Sequence, residues 1–225
     1  MGGALRRPSS YPIDAARACV PPMAPVVTKE GTLFRVLTDS DRPLLLQLQG
    51  GPTLTVEGPA GLREVFAEGV GEGQAYTWAF DAGRPLLDPH ALAVDGPERF
   101  GQTDGRDFRS LVVAPPPPID FERPRTPLES SVLYELHVRG YTNDPGGDVV
   151  NKGTFAGLTE RIPYLVDLGI TAVELLPTCE FDEHEVPRGE GRVNFWGYSP
   201  ISWFAPNRRY AASDPITEFR EMALA

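Results

Sequence analysis

Hydrophobic periodicity changes partway along the chain. From about residue 25 to 114 apolar positions alternate in short runs, GTLFRVL, PLLLQL, TLTVEG, LREVFAEG, AYTWAF and RSLVV, parted by Gly, Pro and Asp clusters. A period of two at this spacing predicts the strands of an antiparallel β-sandwich. Within AYTWAF the alternation places Tyr76, Trp78 and Phe80 on one face. Such a stripe usually supplies the large inward side chains of a sandwich core; its other use is as a platform for flat sugar rings.

The proline-dense stretch APPPPIDFERPRTP, residues 114 to 127, then favours an extended, semi-rigid connector. Beyond it the pattern is of a different type. The run 132 to 139 reads as a strand with Val132, Tyr134, Leu136 and Val138 on one side and Leu133, Glu135, His137 and Arg139 on the other. FAGLTERIPYLVDLG follows at helical spacing, with Leu158, Ile162 and Leu165 in register, Pro163 expected to kink or divide the helix, and Gly169 placed to end it. ITAVELLP is continuously apolar, as in a buried parallel strand. A long loop, 178 to 212, leads to a helix that Ser213 or Asp214 caps and Pro215 opens. This strand–helix–strand order gives the polar side of 132–139 a meaning: in a (β/α)8 barrel the outward face meets helices and must be apolar, while the inward face can hold polar groups.

Composition narrows the partners. With 225 residues the chain has room for two modest cores, and 41% apolar against 23% charged residues is a globular balance. Its 24 prolines are roughly twice the average usage of about 5%, which predicts rigid loops and few long helices. A net charge of −10 weighs against nucleic acid or an anionic membrane as partner and suits a neutral or cationic ligand. Cys19 and Cys179 form no CxxC pair, which predicts two reduced structural thiols. No stretch approaches the ~18 apolar residues of a membrane span, and the N-terminus has no secretory core, so the expected location is cytoplasmic. Met23 stands just before the first strand-like run, and residues 1–24 read as a disordered tail.

Two polar motifs carry little chemistry. GVGEGQ, residues 69 to 74, lacks the G-x-G-x-x-G spacing and leads into a strand, so it is not a phosphate loop. Asp182, Glu183, His184 and Glu185 crowd one segment, but their spacing fits no ligand motif and a solvated polar loop collects such charges. No metal site and no cofactor are expected. Glu135, His137, Arg139 and Glu174 differ, because adjacent parallel strands would gather them inside a barrel, where buried charge must be paired. They are expected to form a structural polar cluster.

At VLYELHVRGYT, GITAVELLP and VNFWGYSPISWFAP the sequence resembles the α-amylase superfamily, glycoside hydrolase family 13, and within it the glycogen debranching enzymes and isoamylases. The resemblance is strongest over residues 128 to 225. LLDPHALAVDG resembles the segment leading out of the N-terminal sandwich of the same enzymes, a family 48 carbohydrate-binding-module-like domain.

The resemblance implies a fold class that is multidomain, β plus α/β: a disordered tail over 1–24, an antiparallel β-sandwich over 25–114, a proline-rich linker over 115–130, and over 131–225 the first two βα units of an incomplete (β/α)8 TIM barrel. It implies hydrolysis of α-1,6 branch linkages in glycogen or starch. The aspartate nucleophile of strand 4 and the glutamate acid/base of strand 5 would lie beyond Ala225, so no catalytic residue is assigned and the chain alone is expected to be inactive. Tyr198, in WGY, matches the aromatic that stacks on the sugar next to the cleaved bond. Trp196 is a second substrate-contact candidate, although it and Phe195 also suit loop packing. The implied partner is an α-glucan polysaccharide. The alternatives are a non-catalytic α-glucan-binding module and a branching or trehalose-forming relative of the same superfamily.

Overall fold

The computed structural model describes residues 23–81, 83–96, 108–119, 121–122, 124–183 and 193–225. The tail 1–22, with Cys19, together with His184 and Glu185, lies outside the described residues.

All six alternating runs become strands. β1 (Val26–Val27), β2 (Gly31–Thr38) and β5 (Gly61–Glu68) form a three-stranded antiparallel sheet in the order β1-β2-β5. β3 (Leu44–Leu48), β4 (Thr53–Val56), β6 (Ala75–Phe80), β7 (Ala93–Asp95) and β8 (Arg109–Leu111) form a five-stranded antiparallel sheet in the order β4-β3-β6-β8-β7. The very short β1 and β7 carry too few residues for a period to show. Phe34, Val36 and Ala67 from the first sheet and Leu44, Leu46, Leu48, Tyr76 and Trp78 from the second share one core. Tyr76 and Trp78 are fully buried, and the rings of Phe34 and Tyr76 meet edge to face at 4.8 Å. The aromatic stripe of β6 is therefore core and not a sugar platform.

The second half is mixed. β9 (Leu133–Leu136) and β10 (Ala172–Leu175) pair in parallel, with Tyr134 opposite Val173 and Glu135 opposite Glu174. Between them run α1 (Val138–Thr142) and α2 (Phe155–Asp167). β11 (Cys179–Phe181) and β12 (Pro200–Pro206) pair antiparallel, a 3-10 turn covers Arg208–Tyr210, and α3 (Pro215–Leu224) closes the order. Leu136, Val138, Phe155, Leu158, Leu165, Phe181, Tyr210 and Met222 make a second core, against which Tyr134 and Leu175 pack. The apolar side of β9 thus meets α2, as the strand–helix–strand order requires.

Four expectations are corrected. The strand 132–139 stops at Leu136, because the His137 side chain caps α1 and turns the chain into a helix. β10 is not buried: Ala172, Val173 and Glu174 are exposed, since β9 is its only neighbour among the described residues and helices cover one face only. The loop 178–212 contains the β11–β12 hairpin. Of the kink or division expected at Pro163, the division does not occur: α2 runs through it, and Pro163 is exposed. The helix ends are as read: Gly169 is left-handed (φ 86°), and Asp214 caps α3 by accepting from Thr217 N–H at 2.7 Å.

The entry to α2 is a close fit. Thr154 Oγ1 accepts from the Gly157 N–H at 3.0 Å, and a Cβ on Gly157 would stand 2.0 Å from the Asn151 carbonyl oxygen. Alanine normally adds about 1 kcal/mol to a helix over glycine. Here backbone blocks it, and Gly157→Ala is expected to destabilise by about 3 kcal/mol, the upper end of overpacking costs. Chemical denaturation decides; a variant as stable as the parent would show that the 151–154 turn yields freely.

Candidate functional site

Four of the exposed aromatic side chains of the second half, Trp196, Tyr198, Trp203 and Phe204, cluster in sequence. Tyr198 is 68% and Trp196 57% exposed, on the segment that enters β12. Gly197 between them is left-handed (φ 83°), and a Cβ there would lie 3.1 Å from Pro177 Cβ and 3.3 Å from a ring carbon of Phe181. Only glycine serves this position without strain, because both the backbone conformation and the packing exclude a side chain. The segment is anchored on its other flank: Asn194 N–H donates to the Glu183 carbonyl at 2.8 Å, Asp182 N–H donates to the Ser199 carbonyl at 2.9 Å, and Asn194 Oδ1 accepts from Gly197 N–H at 3.3 Å. The two exposed rings therefore stand on a fixed backbone.

Beneath them lies His137. Its Nδ1 accepts the Gly140 N–H at 3.0 Å, and its Nε2 lies 2.8 Å from the Phe195 carbonyl oxygen and 3.1 Å from the Tyr210 hydroxyl. The imidazole stacks on the Phe195 ring, centroids 4.3 Å apart and planes 14° from parallel. Burial lowers the His137 pKa from the ordinary 6.5; the Phe195 carbonyl works against that shift and the Arg139 charge adds to it. Burial likewise raises the Tyr210 phenol well above the ordinary range, so it remains a neutral hydrogen-bonding group.

The predicted polar cluster divides. Glu135 and Glu174 occupy the same level of the parallel ladder, and both are exposed. His137 is buried and directed to Phe195, Gly140 and Tyr210, while Arg139 lies in α1, half-buried. The strand's early end separates them, since a side chain at 137 or 139 no longer follows the β alternation.

A different ionic group, unforeseen in the sequence, holds the hairpin. Arg209 is 2% exposed and bonds Glu183, Glu180 (3.0 Å), the Phe181 carbonyl (3.2 Å) and Asn207 Oδ1 (3.0 Å), its guanidinium lying 5.1 Å from the centre of the Phe181 ring. Glu183 thus belongs to a buried ion pair and not to a solvated loop. Burial raises the Glu180 carboxyl pKa, an effect that the Arg209 charge opposes. The signal was present, two glutamates three positions apart around an apolar Phe181, but their partner is a further 26 residues along from Glu183. Among the described residues, no group of three His, Cys, Asp or Glu side chains can hold a metal ion, and no helix is long and apolar enough to cross a membrane. Cys179 is a free thiol in β11, its pKa raised by burial.

The hairpin also touches the first half. Ser202 Oγ donates to the Ala91 carbonyl at 3.2 Å, Phe204 stacks on His90 at 5.7 Å, and Arg208 reaches the Gly96 carbonyl at 3.4 Å. The backbone irregularity at Glu180, which leaves Ser202 and Pro206 as successive partners, throws Trp203 and Phe204 outward together.

No protein-family model matches the chain. Isoamylase 3 of rice, a chloroplastic protein, is 37% identical over 163 residues, which cover 64% of this chain and 20% of that protein. The glycogen debranching enzyme of Dickeya chrysanthemi is 37% identical over 166 residues, 65% of this chain and 25% of the other. The chain therefore spans about a fifth to a quarter of the length of these relatives. Among solved structures, the pullulanase of Bacillus acidopullulyticus superposes with a TM-score of 0.68 at 25% identity, over 90% of this chain and 27% of that one. A pullulanase of Anoxybacillus sp. LM18-11, solved with maltotetraose, shares the fold with a TM-score of 0.67 at 24% identity, over 90% and 32% of the respective chains.

Proposed function

We propose that this chain, a homologue of the isoamylases and glycogen debranching enzymes of glycoside hydrolase family 13, forms the glucan-engaging N-terminal part of an enzyme that cleaves α-1,6 branches of glycogen or starch. In this reading residues 25–114 are a carbohydrate-binding-module-like sandwich, 115–130 a linker, and 131–225 the start of a (β/α)8 barrel in which β9 and β10 are the first two strands. Parallel sheets are almost always covered on both faces. The open face and open edges of β9 and β10 suit strands that are completed by others.

The observation that carries the reading is the pair of exposed rings, Trp196 and Tyr198, fixed by Gly197 at the WGY motif. Tyr198 serves as the flat surface under a glucose ring, with Trp196 beside it; the sugar's apolar face covers the ring while its hydroxyls stay free for hydrogen bonds. An acidic protein suits this uncharged ligand. Retaining glycoside hydrolysis needs two carboxyl groups about 5 to 5.5 Å apart across the scissile bond. The resemblance assigns that pair to strands 4 and 5, so residues 1–225 contribute binding and not bond cleavage. A purely glucan-binding sandwich is the second reading, but the β6 stripe on which it would depend is buried.

The test joins binding and turnover. The 225-residue chain is expected to bind maltotetraose in fluorescence titration and to release no reducing ends from glycogen, amylopectin or pullulan above a blank. Tyr198→Ala should lose about 0.5–1.5 kcal/mol of stacking, a threefold to tenfold weaker Kd, with an unchanged melting temperature, and Tyr198→Phe should keep it. Release of reducing ends, or a Tyr198→Ala variant that binds like the parent, would overturn the reading.

A further inference from the structure

We propose that His137 is a positioning residue that latches the 194–199 segment to the end of β9 and so presents Trp196 and Tyr198 for stacking. The proposal rests on the glucan reading for its purpose but not for its geometry.

One ring performs two tasks at its two nitrogens. Nδ1 accepts the Gly140 N–H, capping α1 at the point where β9 stops. A nitrogen that accepts carries no proton, so the single proton of the neutral imidazole is assigned to Nε2, where it is donated to the Phe195 carbonyl. Phe195 lies 58 residues along the chain from His137, and Tyr210, which shares Nε2, lies 73 residues along. The stacked Phe195 ring and the edges of Trp196 and Tyr210 surround the imidazole, at 4.3, 6.2 and 5.3 Å between centroids. The start of the aromatic segment is thereby tied by a hydrogen bond and a stacked face to an element laid down much earlier in the chain.

The cap at Nδ1 depends on the neutral ring, whereas the Nε2 donor survives protonation. A second proton would go to Nδ1, against the Gly140 N–H, and would dissolve the cap. Burial is the main cost of this proton and the Arg139 charge on α1 adds to it; the other titratable groups nearby are the Tyr210 phenol on the 3-10 turn and, behind it, Arg209, Glu180 and Glu183. The folded-state pKa lies below the ordinary 6.5, so the unfolded chain takes up the proton first on acidification. The Nδ1 cap contributes fully above about 6.5 and is lost as pH falls through the lower, folded value.

Two substitutions separate the tasks. His137→Asn places an amide oxygen near Nδ1, keeping the cap while losing the Nε2 donor; His137→Gln places an amide N–H near Nε2, keeping the clamp and losing the cap. Hydrogen-exchange protection of the 194–199 amides should fall about tenfold in His137→Asn and stay within about twofold in His137→Gln at pH 7.5. In the parent chain acidification should lower the protection of the Gly140 amide, which loses its Nδ1 acceptor, and leave that of 194–199 within about twofold, because Nε2 keeps its proton. His137→Gln decides the matter even if His137→Asn fails to fold: a tenfold loss of 194–199 protection in the variant that keeps the donor at Nε2 overturns the latch, as does parent-like protection in His137→Asn. Maltotetraose titration on the same samples distinguishes the two claims. A parent that shows the exchange pattern but no maltotetraose binding retains the latch and loses the glucan reading; a parent that binds with unaltered exchange in His137→Asn does the reverse.

Discussion

Replacing Arg209 with leucine is expected to destabilise the second half of the chain by about 3–5 kcal/mol, the range for breaking a buried ion pair from one side. The magnitude follows from what remains. Glu180 and Glu183, 4% and 2% exposed at their side chains, would lose their shared buried cation, leaving Glu180 only the more distant Arg208 at 4.0 Å, and the Phe181 carbonyl and Asn207 would each lose a donor. Lysine is not a remedy, since one ammonium cannot reproduce a planar fork with donors to four acceptors. The loss should depend on pH. Burial already raises the Glu180 pKa above 4.5, and without Arg209 only the backbone N–H and the charge of Arg208 oppose that shift. A carboxyl with a raised folded-state pKa favours folding below its unfolded value and loses that contribution as pH rises through the folded one. The gap between parent and Arg209→Leu should therefore narrow toward pH 4 and widen toward pH 7. Guanidinium denaturation followed by near-ultraviolet circular dichroism reads both effects. Adding Glu180→Gln and Glu183→Gln to Arg209→Leu should restore part of the loss, because the uncompensated charge is the main cost. A variant that loses under 1 kcal/mol at pH 7 would mean that water reaches this site.

Trp78→Ala is expected to cost the sandwich a comparable amount, about 3–5 kcal/mol, through a cavity and not through charge. Trp78 is 2% exposed and stands edge-on to Phe34 at 6.5 Å, in the layer that joins the two sheets. Its removal leaves a void lined by residues of both sheets, so the sandwich should melt earlier at every pH. The contrast in pH dependence with Arg209→Leu separates the two mechanisms. Trp78 lies in the sandwich core and Arg209 lies against Phe181 of the second core, so the double variant should lose the sum of the single losses to within about 0.5 kcal/mol. Loss of glucan retention in Trp78→Ala would accordingly report unfolding, and Tyr198 is the informative position for binding.

Legibility in the sequence followed the range of the interaction. Period-two runs disclosed the strands of the sandwich because each inward residue repeats a local rule, and Asp214-Pro215 and Gly169 disclosed helix ends because caps act within four residues. The exposed aromatics at 196 and 198 were found through a family motif and not through periodicity. What escaped was non-local or irregular. The bulged register of β11 against β12 breaks the alternation that would have revealed a hairpin. Histidine at a helix N-cap is uncommon, so the run up to Arg139 looked like one uninterrupted strand, and Glu183 looked like a solvated loop charge because its partner Arg209 lies 26 residues along the chain. Pro163 shows the reverse error: a strong local breaker is tolerated where its cost falls on a solvated flank.

The carboxylates at the same rung of the β9–β10 ladder have a consequence for how copies of this chain behave in company. Short parallel strands with free edges invite stacking with their own kind. Any second molecule laid in register on that bare side would bring four negative charges into one plane beside Leu133 and Ala172. Glu135 and Glu174 are thus expected to oppose such pairing by like-charge repulsion.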